Sequence, residues 1–121
     1  MIFIDYKDAR PIYEQVVERF KTLILKGVLL PDEKMPSVRN LAVELSINPN
    51  TIQRAYAELE RQGYIYTVKG RGNFVSDSRQ LFIKYKEEIF VQLRIVCKQA
   101  FDAGITEEEL IRGIRGGGAY D

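Results

Sequence analysis

Between two runs of helically spaced apolar residues the chain reads Ser46-Ile47-Asn48-Pro49-Asn50-Thr51. This stretch constrains the fold more than any other. Leu41, Ala42 and Leu45 precede it on one face, and Ile52, Ala55, Tyr56 and Leu59 follow on another. Asn48 can cap the second helix, and Pro49 suits its first position, where a missing N–H leaves no bond unmade. Pro36-Ser37 opens the first helix with Ser37 as its cap, and Gly63 stops the second. Two short helices joined by so tight a turn, the second opening on small polar residues, form a helix-turn-helix pattern.

The flanking segments complete that pattern. Tyr64-Ile65-Tyr66-Thr67-Val68 and Phe74-Val75 are rich in β-branched and aromatic residues. Lys69-Gly70-Arg71-Gly72-Asn73 between them is a hairpin signal with two glycines for positive φ. Upstream, Pro11 suits a helix's first turn, and Ile12, Val16, Phe20, Leu23 and Ile24 form a helical face that Gly27 ends. Ile2-Phe3-Ile4 is expected to be a small strand or an anchoring arm. Leu30-Pro31-Asp32-Glu33 reads as a turn. Helix-turn-helix followed directly by a hairpin is the layout of a winged helix.

The last third is helical. Phe82, Tyr85, Ile89, Leu93, Val96 and Ala100 form one row, and Ile83, Phe90 and Cys97 repeat every seven residues beside it. A helix from about Arg79 to Ala103 would be roughly 37 Å long. Its apolar face is wider than one partner requires. It is therefore expected to pack on its own domain along one edge and on another chain along the other. Phe82, Tyr85, Ile89, Phe90, Leu93, Val96 and Cys97 are the expected dimerisation residues. Gly104 breaks the helix, and Thr106 with Glu109 forms a capping box for a final helix carrying Leu110, Ile111 and Ile114. Gly116-Gly117-Gly118 is expected to fray. The fold class is mainly α with a small β-hairpin. Residues 1–76 are expected to form a winged helix-turn-helix domain and residues 77–121 a two-helix C-terminal dimerisation region.

Composition narrows the chemistry. The chain has no histidine and one cysteine, Cys97. The commonest general base and metal ligand are absent, and neither an internal disulfide nor a cysteine-built metal cage can form. The run Glu107-Glu108-Glu109 needs no metal, because acids in a first helical turn suit the helix dipole. No catalytic residue, cofactor or metal is expected. No apolar run is long enough to span a bilayer, and the N-terminus lacks the layout of a secretory signal, so a soluble cytoplasmic protein without a membrane partner is expected.

The net charge of +1 conceals an uneven distribution. From Lys34 to Val75 six bases face three acids; from Asp77 to Asp121 seven bases face eight acids. No acid occurs from Ser46 to Ala57, where Asn48, Asn50, Thr51, Gln53 and Arg54 cluster. A helix of about residues 49–62 could enter a major groove by its N-terminal end, which must not repel phosphate. Gln53 and Asn50 can pair with adenine, and Arg54 suits phosphate or guanine. Free N–H groups at Asn50 and Thr51 would favour a phosphate. The alternative for Asn48 and Thr51 is capping alone, and for Arg39 a pair with Glu44. Lys69 and Arg71 in a wing of residues 69–73 suit the adjacent minor groove or the backbone. A winged helix used for protein–protein contact is the rival reading.

Pro11-Ile12-Tyr13-Glu14-Gln15, Pro36-Ser37-Val38-Arg39-Asn40-Leu41-Ala42, the segment from Asn48 to Tyr56, and Gly70-Arg71-Gly72-Asn73-Phe74-Val75 together resemble the GntR family of bacterial transcription regulators. Asn48-Pro49-Asn50-Thr51 and the short tail resemble its YtrA subfamily. The resemblance implies a cytoplasmic homodimer that binds a palindromic double-stranded DNA operator, usually as a repressor, and is not an enzyme. It places Ser37 and Arg39 on phosphates or a base, Asn48, Asn50, Thr51, Gln53 and Arg54 in the recognition helix, and Arg71 and Gly72 at the wing tip. Many members carry arginine where this chain has Pro49 and Gln53, so the base preference is expected to differ. Asp32 stands where glycine is common, and aspartate tolerates the left-handed conformation such a turn needs. The 45 residues after Ser76 are too few for the larger members' effector or aminotransferase-like domain. A small-molecule effector, of unidentified kind, would have to sit between the dimer helices and the winged helix.

Overall fold

Five helices and one hairpin follow one another through residues 2–116, the part of the chain that the computed structural model describes. They are α1 (Ile12–Leu25), α2 (Val38–Leu45), α3 (Pro49–Arg61), β1 (Ile65–Val68), β2 (Gly72–Val75), α4 (Arg79–Asp102) and α5 (Glu107–Arg115). Gly117 and Gly118, expected to fray, lie outside the described residues; Gly116 is the C-cap of α5. The chain divides into two compact units between Phe82 and Ile83.

In the first unit each helix turns its apolar stripe to one core. Val16, Phe20 and Ile24 of α1, Leu41 of α2, and Ile52, Ala55, Tyr56 and Leu59 of α3 are buried with Ile65 and Val75 of the hairpin. Phe20 and Tyr56 meet edge to face, with ring centres 5.9 Å apart. Burying a side chain as large as phenylalanine or leucine contributes about 1.5–3 kcal/mol, so these stripes supply most of the drive to fold.

The N-terminal segment forms an anchoring arm and no strand. Ile2 is buried, Ile4 packs against the core, and Phe3 between them is exposed. The anchor is polar. Gln15, buried in α1, accepts from the Asp5 N–H at 2.9 Å and donates to the carbonyls of Asp5 and Arg10 at 3.0 and 3.3 Å. Gln15→Leu would leave those arm groups without their partner, and an unmade buried bond costs about 1–3 kcal/mol. Urea denaturation is expected to register a loss of that size together with faster proteolysis of residues 2–10.

Among the described residues, two outside glycine take positive φ, and both shape the connections. Ser46 ends α2 at φ 54°, and the Ile47 N–H donates back to the Ala42 carbonyl at 2.9 Å. Asp32 sits at φ 66°, the left-handed conformation its turn was expected to need. Its N–H donates to the Val75 carbonyl at 2.7 Å, and its carboxylate accepts from the Tyr66 hydroxyl at 2.8 Å.

β1 and β2 pair antiparallel with Ile65 opposite Val75 and Val68 opposite Gly72. Past the hairpin, Leu81 at the start of α4 packs against the core. Beyond Leu81 the apolar rows of α4 are largely exposed. Phe82, Ile83, Ile89, Phe90, Leu93 and Val96 are open to solvent, Tyr85 and Cys97 are half-buried, and Ala100 alone of the helix is buried. In the second unit the Ile105 N–H donates to the Ala100 carbonyl. The Thr106–Glu109 capping box then starts α5 as the sequence indicates. No helix among the described residues is long and apolar enough to cross a membrane.

Candidate nucleic-acid interface

The helix-turn-helix presents α3 with one face inward and one outward. Ile52, Ala55, Tyr56 and Leu59 are buried, which leaves Asn50, Gln53, Arg54 and Ala57 exposed and Thr51 half-buried. Asn50, Gln53 and Ala57, three and four residues apart, share one outward stripe. Tyr56 fixes the helix from the inner side, its hydroxyl donating to the Pro36 carbonyl at 2.7 Å. That bond ties α3 to the residue preceding the cap of α2. Burial pushes the Tyr56 hydroxyl well above the ordinary tyrosine range, so it stays protonated and donating.

The caps form as read. Ser37 Oγ accepts from the Asn40 N–H at 3.1 Å, and Asn48 Oδ1 accepts from the Asn50 N–H at 2.8 Å. The second bond corrects one expectation. The N–H groups of Asn50 and Thr51 are not free for a phosphate: Asn48 takes the first with its side chain and the second with its carbonyl, at 3.0 Å. What the start of α3 offers a ligand is therefore its side chains. Ser37 is exposed and keeps its own O–H to donate, and Arg39 is exposed two residues on.

Arg54 is held rather than loose. Its Cζ lies 3.8 Å from the centre of the Tyr13 ring, a cation–π contact between α3 and α1. A guanidinium stacked this way keeps its N–H edge available while losing much of its side-chain freedom. Glu58, one turn further along, is engaged by Arg61 through Nε at 2.9 Å and through a second, shorter contact, and by Gln62 at 2.8 Å. Those bonds, Arg61 foremost, hold the Glu58 carboxyl at about 2. Arg61 thus offsets the nearest acid on the helix.

The wing carries its cations on the tip. Lys69, Gly70 and Arg71 are exposed, and the Arg71 N–H donates to the Val68 carbonyl at 2.9 Å. Gly70, third in that turn, has φ 79°, the value a type II turn requires. Below the tip the Thr67 hydroxyl donates to Glu60 Oε2 at 2.6 Å, and the Asn73 amide lies 2.8 Å from the same hydroxyl. This joins the hairpin to the C-terminal half of α3. Tyr66 stacks on Phe74 at 5.7 Å, and Tyr56 and Tyr64 are buried, so the tyrosines of this region serve packing.

Tyr13 beneath Arg54 and the Thr67–Glu60 tie are contacts of this region that the sequence alone does not announce. Tyr13 had a signal, its place in Pro11-Ile12-Tyr13-Glu14-Gln15; nothing in the order of residues pairs Thr67 with Glu60. Among the described residues no three His, Cys, Asp or Glu side chains gather as a metal site.

A helix-turn-helix braced from inside, with no acid at the outward leading end of its second helix and a basic hairpin tied beside it, defines the winged-helix class of DNA-binding proteins. Residues 12–75 match the family model described as bacterial regulatory proteins, gntR family. The chain belongs to the GntR family of DNA-binding transcription regulators. It is 40% identical over 117 residues to the HTH-type transcriptional repressor YtrA of Bacillus subtilis, covering 95% of this chain and 90% of the relative. The YtrA likeness of the Asn48–Thr51 segment therefore extends along nearly the whole chain. A GntR family transcriptional regulator from Listeria monocytogenes superposes with a TM-score of 0.74 at 38% identity, over 89% of this chain and 96% of that one. AraR(DBD) in complex with operator ORE1 superposes with a TM-score of 0.54 at 33% identity, over 63% and 93% of the respective chains.

Proposed function

We propose that the chain is a cytoplasmic repressor that binds a palindromic DNA operator as a homodimer. Residues 1–76 act as the DNA-binding domain and residues 77–121 as the dimerisation region. The acid-free leading part of the outward stripe of α3, Asn50 to Ala57, carries this reading. A helix that offers amides and a guanidinium and no carboxylate at its leading end suits a major groove. Asn50 and Gln53 read base edges, Asn48 and Thr51 set the helix start, and Ser37, Arg39 and Arg54 hold the backbone on either side. Lys69 and Arg71 of the wing, with Gly72 beside them, meet the adjacent minor groove or its phosphates. The repressor name of the B. subtilis relative and the operator complex of AraR(DBD) support the sign and the partner. The exposed apolar rows of α4 support the dimer.

Selection of sites from random duplex DNA at two salt concentrations tests the proposal. An inverted repeat is expected; enrichment of nothing by folded protein would defeat the DNA reading, and a single unrepeated site would defeat the dimer. In the same assay Gln53→Ala is expected to relax preference at one position of each half-site by about 1–3 kcal/mol, the size of a bidentate base contact. Unchanged selectivity would remove Gln53 from the readout.

A further inference from the structure

Lys34, not among the wing residues singled out from the sequence, lies across Gly72 beside the wing tip. Residues 32–35 run along β2 as a short added edge. The Val75 N–H donates to the Glu33 carbonyl at 2.9 Å, the Met35 N–H donates to the Asn73 carbonyl at 2.8 Å, and Lys34 pairs with Phe74 between them. Lys34 is exposed, and its stem crosses Gly72. A Cβ on Gly72 would lie 3.2 Å from Lys34 Cε and 4.0 Å from Nζ, and φ there is 118°. Both facts favour glycine: the backbone conformation would strain any other residue, and a Cβ there would push the lysine stem aside by a few tenths of an ångström.

The ion pairs among the described residues involve Asp8, Glu58, Asp77 and Asp102, and none of them takes Lys34, Lys69 or Arg71. Three cations without an ion-pair partner therefore surround one end of a backbone-braced hairpin, in a chain whose net charge is only +1. An ammonium without an ion-pair partner, over Gly72 and so next to the Arg71 backbone, is the chemistry that holds a phosphodiester.

We propose that Lys34 is a DNA-backbone contact of the wing and that Gly72 serves as its seat. This rests on the DNA-binding reading above. Lys34→Met tests it, since methionine keeps an apolar stem over Gly72 and removes only the charge. Affinity for the selected operator is measured against salt for the wild type, Lys34→Met, Lys34→Arg and Arg71→Ala. Lys34→Met is expected to weaken binding about tenfold at low salt and to reduce the slope of log affinity against log salt by about 0.9, one phosphate's share. Lys34→Arg is expected to restore that slope. A Lys34→Met protein with wild-type affinity and slope would overturn the role of Lys34 and leave the DNA reading standing. A wild type that binds no duplex in a salt-dependent way would overturn the DNA reading, and this proposal with it.

Discussion

Phe90→Glu combined with Leu93→Glu is expected to give a folded monomer whose operator affinity is lower by about a hundredfold or more. Both side chains are roughly half exposed, at 47% and 40%, so the substitutions disturb little of the chain's own packing. In a seam between two copies of α4 the same four carboxylates would be buried without partners, and uncompensated buried charge is strongly destabilising. Once separated, each copy holds only a half-site. The affinity gained by linking two sites is typically 10²–10⁴-fold, which sets the size of the loss. Sedimentation at tens of micromolar checks the first part, and operator titration checks the second. A monomeric wild type, or a double variant that still dimerises, would place the dimer contact elsewhere or nowhere.

Tyr56→Ala is expected to remove about 3–5 kcal/mol of stability, the range for deleting a large buried ring. The side chain is 1% exposed, meets Phe20 edge to face, and holds the Pro36 carbonyl through its hydroxyl. A loss that large is a substantial share of what a small domain has, so the variant should be partly unfolded at 37 °C. Tyr56→Phe separates the two contributions. It keeps the ring contact and leaves the Pro36 carbonyl unpaired, for an expected loss of about 1–3 kcal/mol. Chemical denaturation of the two variants gives the comparison. Equal losses would mean that the ring contributes little beyond its hydroxyl.

The elements legible in the sequence are those whose cause is local. Ser37 and Asn48 cap because a short polar side chain next to a helix start meets an N–H two or three residues away. Thr106 and Glu109 form their box for the same reason. Asp32 adopts its left-handed turn within its own four residues. The edge formed by Glu33, Lys34 and Met35 was hidden, because three residues without β character become an edge only when β2 comes alongside. The stack of Arg54 on Tyr13 was hidden too, since it depends on how α1 crosses α3.

One local expectation failed instructively. The first N–H groups of α3 looked available to a phosphate, yet Asn48, read as a possible cap, satisfies both once its side chain and carbonyl turn inward together. In this structure the cap occupies the N–H groups that an anion site would need.

By itself, then, the sequence determined the order of elements, their apolar faces, the caps, the turn residues and the acid-free stretch of α3, because periodicity and short-range hydrogen bonding act over a few residues. Only the tertiary structure decided that Lys34 lies over Gly72, that Tyr13 supports Arg54, and that Thr67 ties the wing to Glu60. The first two join residues far apart in the chain, and the third joins a strand to the helix before it. Each exists only after burial of the apolar stripes has set the helices and the hairpin against one another.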